Sequence, residues 1–277
     1  MRLPLWLKTD TFKGLRPTKQ LLRKHGVSTV CEEARCPNKG HCFNRPTATF
    51  MILGQDCTRA CGFCSVNHLT PSPLSLDEPQ RVAEASKELN LKHVVITSVT
   101  RDDLFDGGAE QFARTIYAIR LQLPDSTIEV LTPDFNGRIV DLQTVLNAKP
   151  DVFNHNVETV PSLYSIVRPQ ANYTQSLNVL KEARRFSKNY KVKSGLMVGL
   201  GESFNEVISV IKDIRESGCE ILTIGQYMRP SRNNLPVKEY IHPEVFERYK
   251  EIALEMGFTF VASAPLVRSS MNAEEML

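Results

Sequence analysis

From Phe50 onward one pattern recurs along the chain. A short apolar run is followed by a polar or glycine-bearing loop, then by a stretch whose apolar residues fall three and four apart. The runs lie at 49–53, 93–97, 127–131, 151–153, 192–198 and 220–224, and the spacing predicts helices over 78–89, 109–123, 138–147, 163–167, 174–187, 206–217 and 243–256. Asp77 is placed to cap the first of these, and Gly218 and Gly257 to end the last two. A last short strand fits 258–262. Apolar runs without polar alternation belong to strands covered on both faces, and strands separated by helices join in parallel through right-handed crossovers. A doubly wound sheet satisfies these rules. Six similar units with motif-bearing loops after nearly every strand favour another α/β fold, a partial (βα)6 TIM-type barrel with N-terminal and C-terminal extensions covering the open side. The expected division is an N-terminal extension over 1–48, the barrel over 49–262 and a C-terminal segment over 263–277.

Six of the seven cysteines fall between positions 31 and 64, in two trios. Cys57, Cys61 and Cys64 stand at C-x3-C-x2-C spacing just past the first apolar run and Gly54. Cys31, Cys36 and Cys42 stand at C-x4-C-x5-C spacing in a segment rich in Pro, Asn and Gly. Neither trio supplies the four thiolates of a closed iron–sulfur or zinc site, and an unfilled coordination position is where a substrate or cofactor binds. The competing readings of the 57–64 loop are a zinc site completed by a histidine such as His68, a set of core thiols, and a disulfide. Disulfides suit oxidising compartments and small scaffolds. The lone Cys219 begins a predicted strand and reads as a small buried hydrophobe.

With 277 residues, 42% of them hydrophobic and 23% charged, the composition is that of an ordinary globular protein. No run reaches the length of a membrane span, and the apolar part of the first eight residues is too short for a secretory signal. The expected setting is the cytoplasm, where thiols stay reduced and clustered cysteines bind metal. A net charge of +3 gives no argument for nucleic acid. No membrane partner is expected either, and a monomer is. The first thirty residues are more biased, with Arg2, Lys8, Lys13, Arg16, Lys19, Arg23 and Lys24 against Asp10. That excess is either a solvated basic face or a docking surface for an acidic protein partner. A short helix fits 17–24, ended by Gly26.

The loops after the strands carry the remaining polar motifs. Residues 97–108 include Arg101, Asp102, Asp103 and Asp106 and end in Gly107 and Gly108, a pattern that also suits a helix N-cap with a turn. Asn154, His155, Asn156 and Glu158 follow the fourth strand, where buried polar groups must be hydrogen-bonded. Residues 193–202 carry Lys193, Gly199, Gly201 and Glu202, and the glycines permit close approach of backbone to a ligand. The dinucleotide fingerprint spacing is absent there. Gln226, Tyr227 and Arg229 follow the sixth strand.

The C-x3-C-x2-C loop after a strand resembles that of the radical S-adenosylmethionine (radical SAM) enzymes. The resemblance narrows with Cys-Glu-Glu-Ala-Arg-Cys-Pro-Asn at 31–38, Ala-Thr-Phe-Met-Ile-Leu-Gly at 48–54 and Arg-Asp-Asp-Leu at 101–104. It continues through Pro-Asp-Val-Phe-Asn-His-Asn-Val-Glu at 150–158, Lys-Ser-Gly-Leu-Met-Val-Gly-Leu-Gly-Glu at 193–202, Leu-Pro-Val at 235–237 and Arg-Ser-Ser at 268–270. Together these are similar to the lipoyl synthase family, from about Trp6 to Ser270. The resemblance implies an enzyme that inserts two sulfur atoms, at C6 and C8, into an octanoyl chain on a lysine of a lipoyl carrier domain. It implies two 4Fe–4S clusters and S-adenosylmethionine as cofactors. Cys57, Cys61 and Cys64 would hold the cluster that binds S-adenosylmethionine. Cys31, Cys36, Cys42 and Ser270 would hold an auxiliary cluster that donates sulfur. Asn156 and Glu158 resemble ribose-binding positions of the related biotin synthase, which lacks the N-terminal trio. Arg168 and Lys193 are candidate partners for the methionine carboxylate or members of structural ion pairs. Implied partners are octanoylated carriers (a 2-oxoacid dehydrogenase acyltransferase subunit and the glycine cleavage H protein), an electron donor such as ferredoxin or flavodoxin, and an iron–sulfur carrier that rebuilds the auxiliary cluster. Met271 departs from the Tyr that usually follows the family's Arg-Ser-Ser.

Overall fold

The computed structural model describes residues 2–8, 16–43, 48–271 and 273–276. Asp10 and Lys13 of the basic arm lie outside the described residues. The strands are β1 (Ser28–Thr29), β2 (Thr49–Ile52), β3 (His93–Ser98), β4 (Thr127–Leu131), β5 (Val152–Asn154), β6 (Lys191–Val198), β7 (Ile221–Gln226) and β8 (Phe260–Ser263). Neighbouring strands are successive in sequence, β1 to β4 in one set and β6 to β8 in another. Helices α1 (Arg16–Lys24), α2 (Val30–Glu33) and α3 (Lys39–Cys42) precede β2. The crossover helices are α4 (Glu78–Glu88), α5 (Ala109–Gln122), α6 (Ile139–Asn147), α7 (Tyr164–Val167), α8 (Tyr173–Phe186), α9 (Phe204–Glu216) and α10 (Pro243–Glu255). The fold is α/β and of the partial-barrel class expected from the repeat, with β8 as the last short strand. The antiparallel β1, which sets Ser28 beside Met51, was not expected, because two residues are too few to display a strand period.

Two compact units divide the chain, one of residues 10–59 and 66–153, the other of residues 1–9, 60–65 and 154–277. In the first, β2, β3 and β4 run parallel, with Thr49 opposite Val95 and His93 opposite Thr127. Every residue of β2 is buried, as a strand covered on both faces requires. The arm's charges are partly spent inside this unit: Lys19 pairs with Glu32 at 3.4 Å and Lys24 with Glu88 at 2.7 Å. In the second unit β6, β7 and β8 run parallel, with Lys193 opposite Ile221 and Ile221 opposite Phe260. Trp6 meets His242 edge to face here at 5.2 Å between ring centroids.

Local chemistry sets the helix ends. Gly218 and Gly257 end α9 and α10 in left-handed conformations, φ 91° and 92°, which glycine adopts without strain. Helix α9 begins two residues before the expected start because Ser203 and Glu206 form a reciprocal capping box. Asp77 does not cap α4 through its side chain. Its carboxylate is engaged by Ser75 and, at 3.1 Å, by Arg81. Cys219 is fully buried, as expected, and burial pushes its thiol well above the ordinary range. No helix among the described residues is long and apolar enough to cross a membrane.

Candidate active site

The 57–64 loop leaves β2 through two consecutive left-handed residues, Leu53 (φ 70°) and Gly54 (φ 90°). Its first part belongs to the first unit. The Cys57 sulfur accepts from the backbone N–H of Arg59 at 3.4 Å and of Thr100 at 3.3 Å. Thr58 donates its hydroxyl to the Thr100 carbonyl at 3.0 Å and accepts from the Asp102 N–H at 3.0 Å. Arg59 is only 5% exposed and grips two carboxylates at once. Nε and Nη2 donate to Asp102 at 2.7 and 2.9 Å, Nη1 and Nη2 to Asp134 at 2.9 and 2.8 Å, and Nη2 also to Asn136 at 2.7 Å. Burial alone would lower the basicity of that guanidinium, but hydrogen bonds and charge from Asp102 and Asp134 outweigh it and hold the group charged. Arg101 secures the strand end from below, donating to the Leu53 carbonyl at 3.0 Å and forking onto Asp103 at 2.9 Å through both Nε and Nη2.

The polar run after β3 therefore splits by role. Asp106 is the helix-capping part, accepting from the N–H of Gly108 at 2.9 Å and of Glu110 at 2.8 Å at the start of α5. Asp102, with Asp134 and Asn136 from the turn after β4, steadies the cysteine loop. Sequence reasoning missed Arg59 and Asp134. The only signal was an arginine inside an otherwise small and apolar cysteine loop.

Residues 60–65 belong to the second unit. The Ala60 N–H donates to Gln170 at 2.6 Å and the Gly62 N–H to the Val167 carbonyl at 2.9 Å. The Gly62 carbonyl accepts from the Leu235 N–H at 2.9 Å, and Asn234 donates to the Cys64 carbonyl at 2.6 Å. Phe63 packs against a buried cluster of Val167, Leu200 and Tyr227. Gly62 is required by space: a Cβ there would lie 2.8 Å from Leu235 Cδ1 and 3.1 Å from the Ile166 carbonyl.

The same unit gathers Asn156, Glu158 and Arg168. Asn156 Nδ2 donates to Glu158 at 3.1 Å. Glu158 holds a left-handed φ of 71°, a strained conformation for a residue with a side chain, and burial pushes its carboxyl up against the opposing pull of Arg168 and Asn156. Arg168 Nη1 donates to the carbonyls of Asn156 and Val157, both at 3.2 Å, and to the Tyr164 hydroxyl at 3.3 Å. Burial works against its charge, but Tyr164, Glu158 and Cys61 favour it and raise the group overall. Its Nε is buried with no hydrogen-bond partner among the described residues. Lys193 is fully buried in β6, on the same strand face as Gly195 two residues on.

The expected ligand approach at Gly199 is filled by the protein itself. A Cβ there would lie 2.1 Å from Gln226 Nε2 and 2.5 Å from the Glu239 carbonyl, so glycine is needed for internal packing. Glu202 closes that loop by accepting from the N–H groups of Gly199 and Leu200. The C-terminal segment turns at 268–271, with the Met271 N–H donating to the Arg268 carbonyl at 2.9 Å. Its unexpected anchor is Ser269, whose hydroxyl lies 2.9 Å from Asn156 Nδ2 and 3.1 Å from Asn156 Oδ1. Ser270 is its half-buried neighbour in the turn.

Cys31, Cys36 and Cys42 lie close enough to feel one another's charge in the first unit. Burial first, then Cys36 and Cys42, push the Cys31 thiol up to about 12. A thiol so placed resists deprotonation until a cation holds it, which is the donor chemistry of a metal cluster. No disulfide forms among the described residues, and His68 is exposed. No three His, Cys, Asp or Glu side chains among the described residues are already gathered as a metal site. The donors suit a cluster by type and spacing.

Residues 51–214 match the family model of the radical SAM superfamily. The chain is 55% identical to the lipoyl synthase of Alkaliphilus metalliredigens, over 100% of this chain and 96% of that one. It is 54% identical to the lipoyl synthase of Caldanaerobacter subterraneus subsp. tengcongensis, over 99% and 96%. Among solved structures, Streptococcus suis SuiB bound to S-adenosylmethionine shares the fold with a TM-score of 0.59 at 12% identity, covering 89% of this chain and 56% of that one. By full-length identity to curated members and by the matching superfamily model, the chain belongs to the lipoyl synthase family of radical SAM enzymes.

Proposed function

We propose that the chain acts in the cytoplasm as a lipoyl synthase on octanoylated carrier domains, with Cys57, Cys61 and Cys64 as ligands of the cluster that binds S-adenosylmethionine. Cys31, Cys36, Cys42 and Ser270 hold the auxiliary cluster, placing its ligands in the extensions 1–48 and 263–277 around a barrel of 49–262. The observation that carries this reading is Arg168, which senses the charge of Cys61 and Glu158 while bonding the backbone of Asn156. One arginine thus links a cysteine of the loop to the pair of side chains suited to a ribose diol.

The methylene and methyl hydrogens of an octanoyl chain are beyond any side-chain base, so the bound cofactors supply radical hydrogen abstraction and the auxiliary cluster the sulfur. The residues do the rest. Glu158 accepts from ribose hydroxyls and Asn156 orients it. Arg168, with its orphaned Nε, offers a fork to the methionine carboxylate. Lys193, buried deeper on β6, is the second candidate for that carboxylate. The two backbone N–H groups on Cys57 fix where its sulfur is presented to iron. A serine oxygen is a poorer ligand than thiolate for soft iron, so a cluster corner held by Ser270 would be the one to release most easily. The proposed partners are the octanoylated carriers of 2-oxoacid dehydrogenases and the glycine cleavage system, an electron donor such as ferredoxin or flavodoxin, and an iron–sulfur carrier for rebuilding.

The test is anaerobic incubation of reconstituted enzyme with an octanoyl-lysyl peptide, S-adenosylmethionine and reductant, read by mass spectrometry. Two added sulfurs are expected. Cys61→Ala should abolish 5′-deoxyadenosine formation. Cys36→Ala should keep that formation and lose sulfur insertion; thiolated product from this variant would overturn the donor assignment.

A further inference from the structure

In the second unit the C-terminal segment rests on a trough cut by two glycines. Gly195 in β6 and Gly225 in β7 lack the side chains that would fill it: a Cβ on Gly225 would lie 2.2 Å from the Val267 carbonyl, and one on Gly195 would lie 3.1 Å from the Ser269 hydroxyl and 2.3 Å from Thr223 Oγ1. The segment is laid down by backbone bonds, the Ala264 N–H to the Ile224 carbonyl at 3.2 Å and the Gln226 N–H to the Pro265 carbonyl at 3.1 Å. At its end, the Ser269 hydroxyl lies against both polar atoms of the Asn156 amide and 3.5 Å from Thr223 Oγ1.

That contact decides which way Asn156 faces. A carboxylate only accepts, so the Glu158 oxygen at 3.1 Å fixes the NH2 side of the amide toward it. The second Nδ2 proton is directed to Ser269, and the hydroxyl can return a bond to Oδ1. Asn156 is therefore held between the carboxylate assigned to ribose and the residue directly before the proposed cluster ligand Ser270.

We propose that Ser269 is a positioning residue that couples the nucleoside site to the serine ligand of the auxiliary cluster, acting through Asn156. The inference rests on the ribose role given above to Asn156 and Glu158. Ordering of Asn156 by one partner lowers the ordering cost for the other, so nucleoside binding and tail docking reinforce each other, reciprocally. With Ser269 holding the amide, Glu158 presents its carboxylate to the nucleoside, and the turn that carries Ser270 is kept in place. Loss of the Ser269 hydroxyl removes one net hydrogen bond, about 1 kcal/mol or roughly five-fold in an equilibrium constant.

The experiment uses the reconstituted full chain and three readouts that do not depend on turnover. In Ser269→Ala, S-adenosylmethionine affinity by calorimetry should fall about five-fold. In the parent, saturating S-adenosylmethionine should slow amide exchange across 268–271 by a like factor, and in Ser269→Ala it should not. A thermal melt of Ser269→Ala close to the parent's should show that the sheet is intact. Parent-like affinity in Ser269→Ala, or exchange that still slows in it, overturns the coupling. Asn156→Ala separates the two layers of argument: if it binds S-adenosylmethionine normally, the ribose assignment itself fails, whereas weakened binding there with none in Ser269→Ala sinks only the role of Ser269.

Discussion

Arg59→Ala is the perturbation with the largest expected cost outside the cysteines. The guanidinium makes five hydrogen bonds, two to Asp102, two to Asp134 and one to Asn136. The Asp134 carboxylate is fully buried, while that of Asp102 is 30% exposed. Removing one partner from a buried charge pair typically costs about 3–5 kcal/mol, because the charge left behind keeps its desolvation penalty. The Asn136 N–H at 3.1 Å still reaches Asp134 and offsets a little of that. Arg59→Lys keeps the positive charge but presents one ammonium to carboxylates that were each gripped by a fork. Its expected loss is about 1.5–3 kcal/mol, the worth of a charge-assisted hydrogen bond. Asp102→Asn should cost less than Asp134→Asn, since water reaches Asp102 but not Asp134. The assay is urea denaturation of the cluster-free chain under reducing, anaerobic conditions, with the midpoint shift read at constant slope. The Arg59 N–H is also one of the two backbone donors to the Cys57 sulfur, so iron incorporation on reconstitution should fall together with stability. The double variant Arg59→Leu, Asp134→Leu should recover much of the single variant's loss, because it removes the stranded charge as well. An Arg59→Ala variant within about 0.5 kcal/mol of the parent would place the residue among ordinary surface positions and refute the clamp.

Gly225→Ala should displace the C-terminal segment, since the added Cβ would meet the Val267 carbonyl at 2.2 Å and backbone yields less readily than a side chain. Faster protease cleavage within 264–271, with sulfur insertion lost before S-adenosylmethionine binding, is the expected outcome, and parent-like cleavage would count against the trough. Glu206 is held down to about 2 by hydrogen bonds from Ser162 and Ser203. A carboxyl depressed on folding contributes stability that is present above its unfolded value near 4.5 and is lost as pH falls toward about 2. Glu206→Gln should therefore show a shallower fall in stability over that window in acid-unfolding titrations, and an unchanged acid slope would show that the capping box carries no pH-linked stability.

What the sequence displayed and what it hid divide along one physical line. The strands after β1 and the spacing of the two cysteine trios are short-range patterns: apolar runs repeat locally, and residues on one loop keep a fixed covalent spacing. The groups that steady the site are paired over long distances in the chain. Arg59 meets Asp134 across 75 residues, Asn234 meets the Cys64 carbonyl across 170, and Ser269 meets Asn156 across 113. No local period marks such partners, and each residue alone has an ordinary explanation as turn, cap or tail. The glycines misled for the same reason. Gly199 looked like an opening for a ligand and is filled by Gln226, whereas Gly195 and Gly225, unremarked inside their strands, make room for the tail. A missing Cβ shows only that something comes close, and the closest atom is set by a neighbouring strand that the sequence does not place.

For the cluster-binding role proposed for it, the cysteine loop needs this distant support: a ligand loop is ordered before the cluster binds, or the cluster supplies the ordering free energy itself. Fixing a residue's backbone costs about 1–2 kcal/mol, so eight loop residues left free would take a large share of any metal-binding energy. Here residues 57–59 are held by Thr100, Asp102, Asp134 and Asn136, and residues 60–64 by Val167, Gln170, Asn234 and Leu235. The Cys57 sulfur is itself held, by the backbone N–H groups of Arg59 and Thr100. With the loop proposed as the seat of a cluster, loosening either set of anchors is expected to lower iron occupancy on reconstitution before it lowers the stability of the sheet.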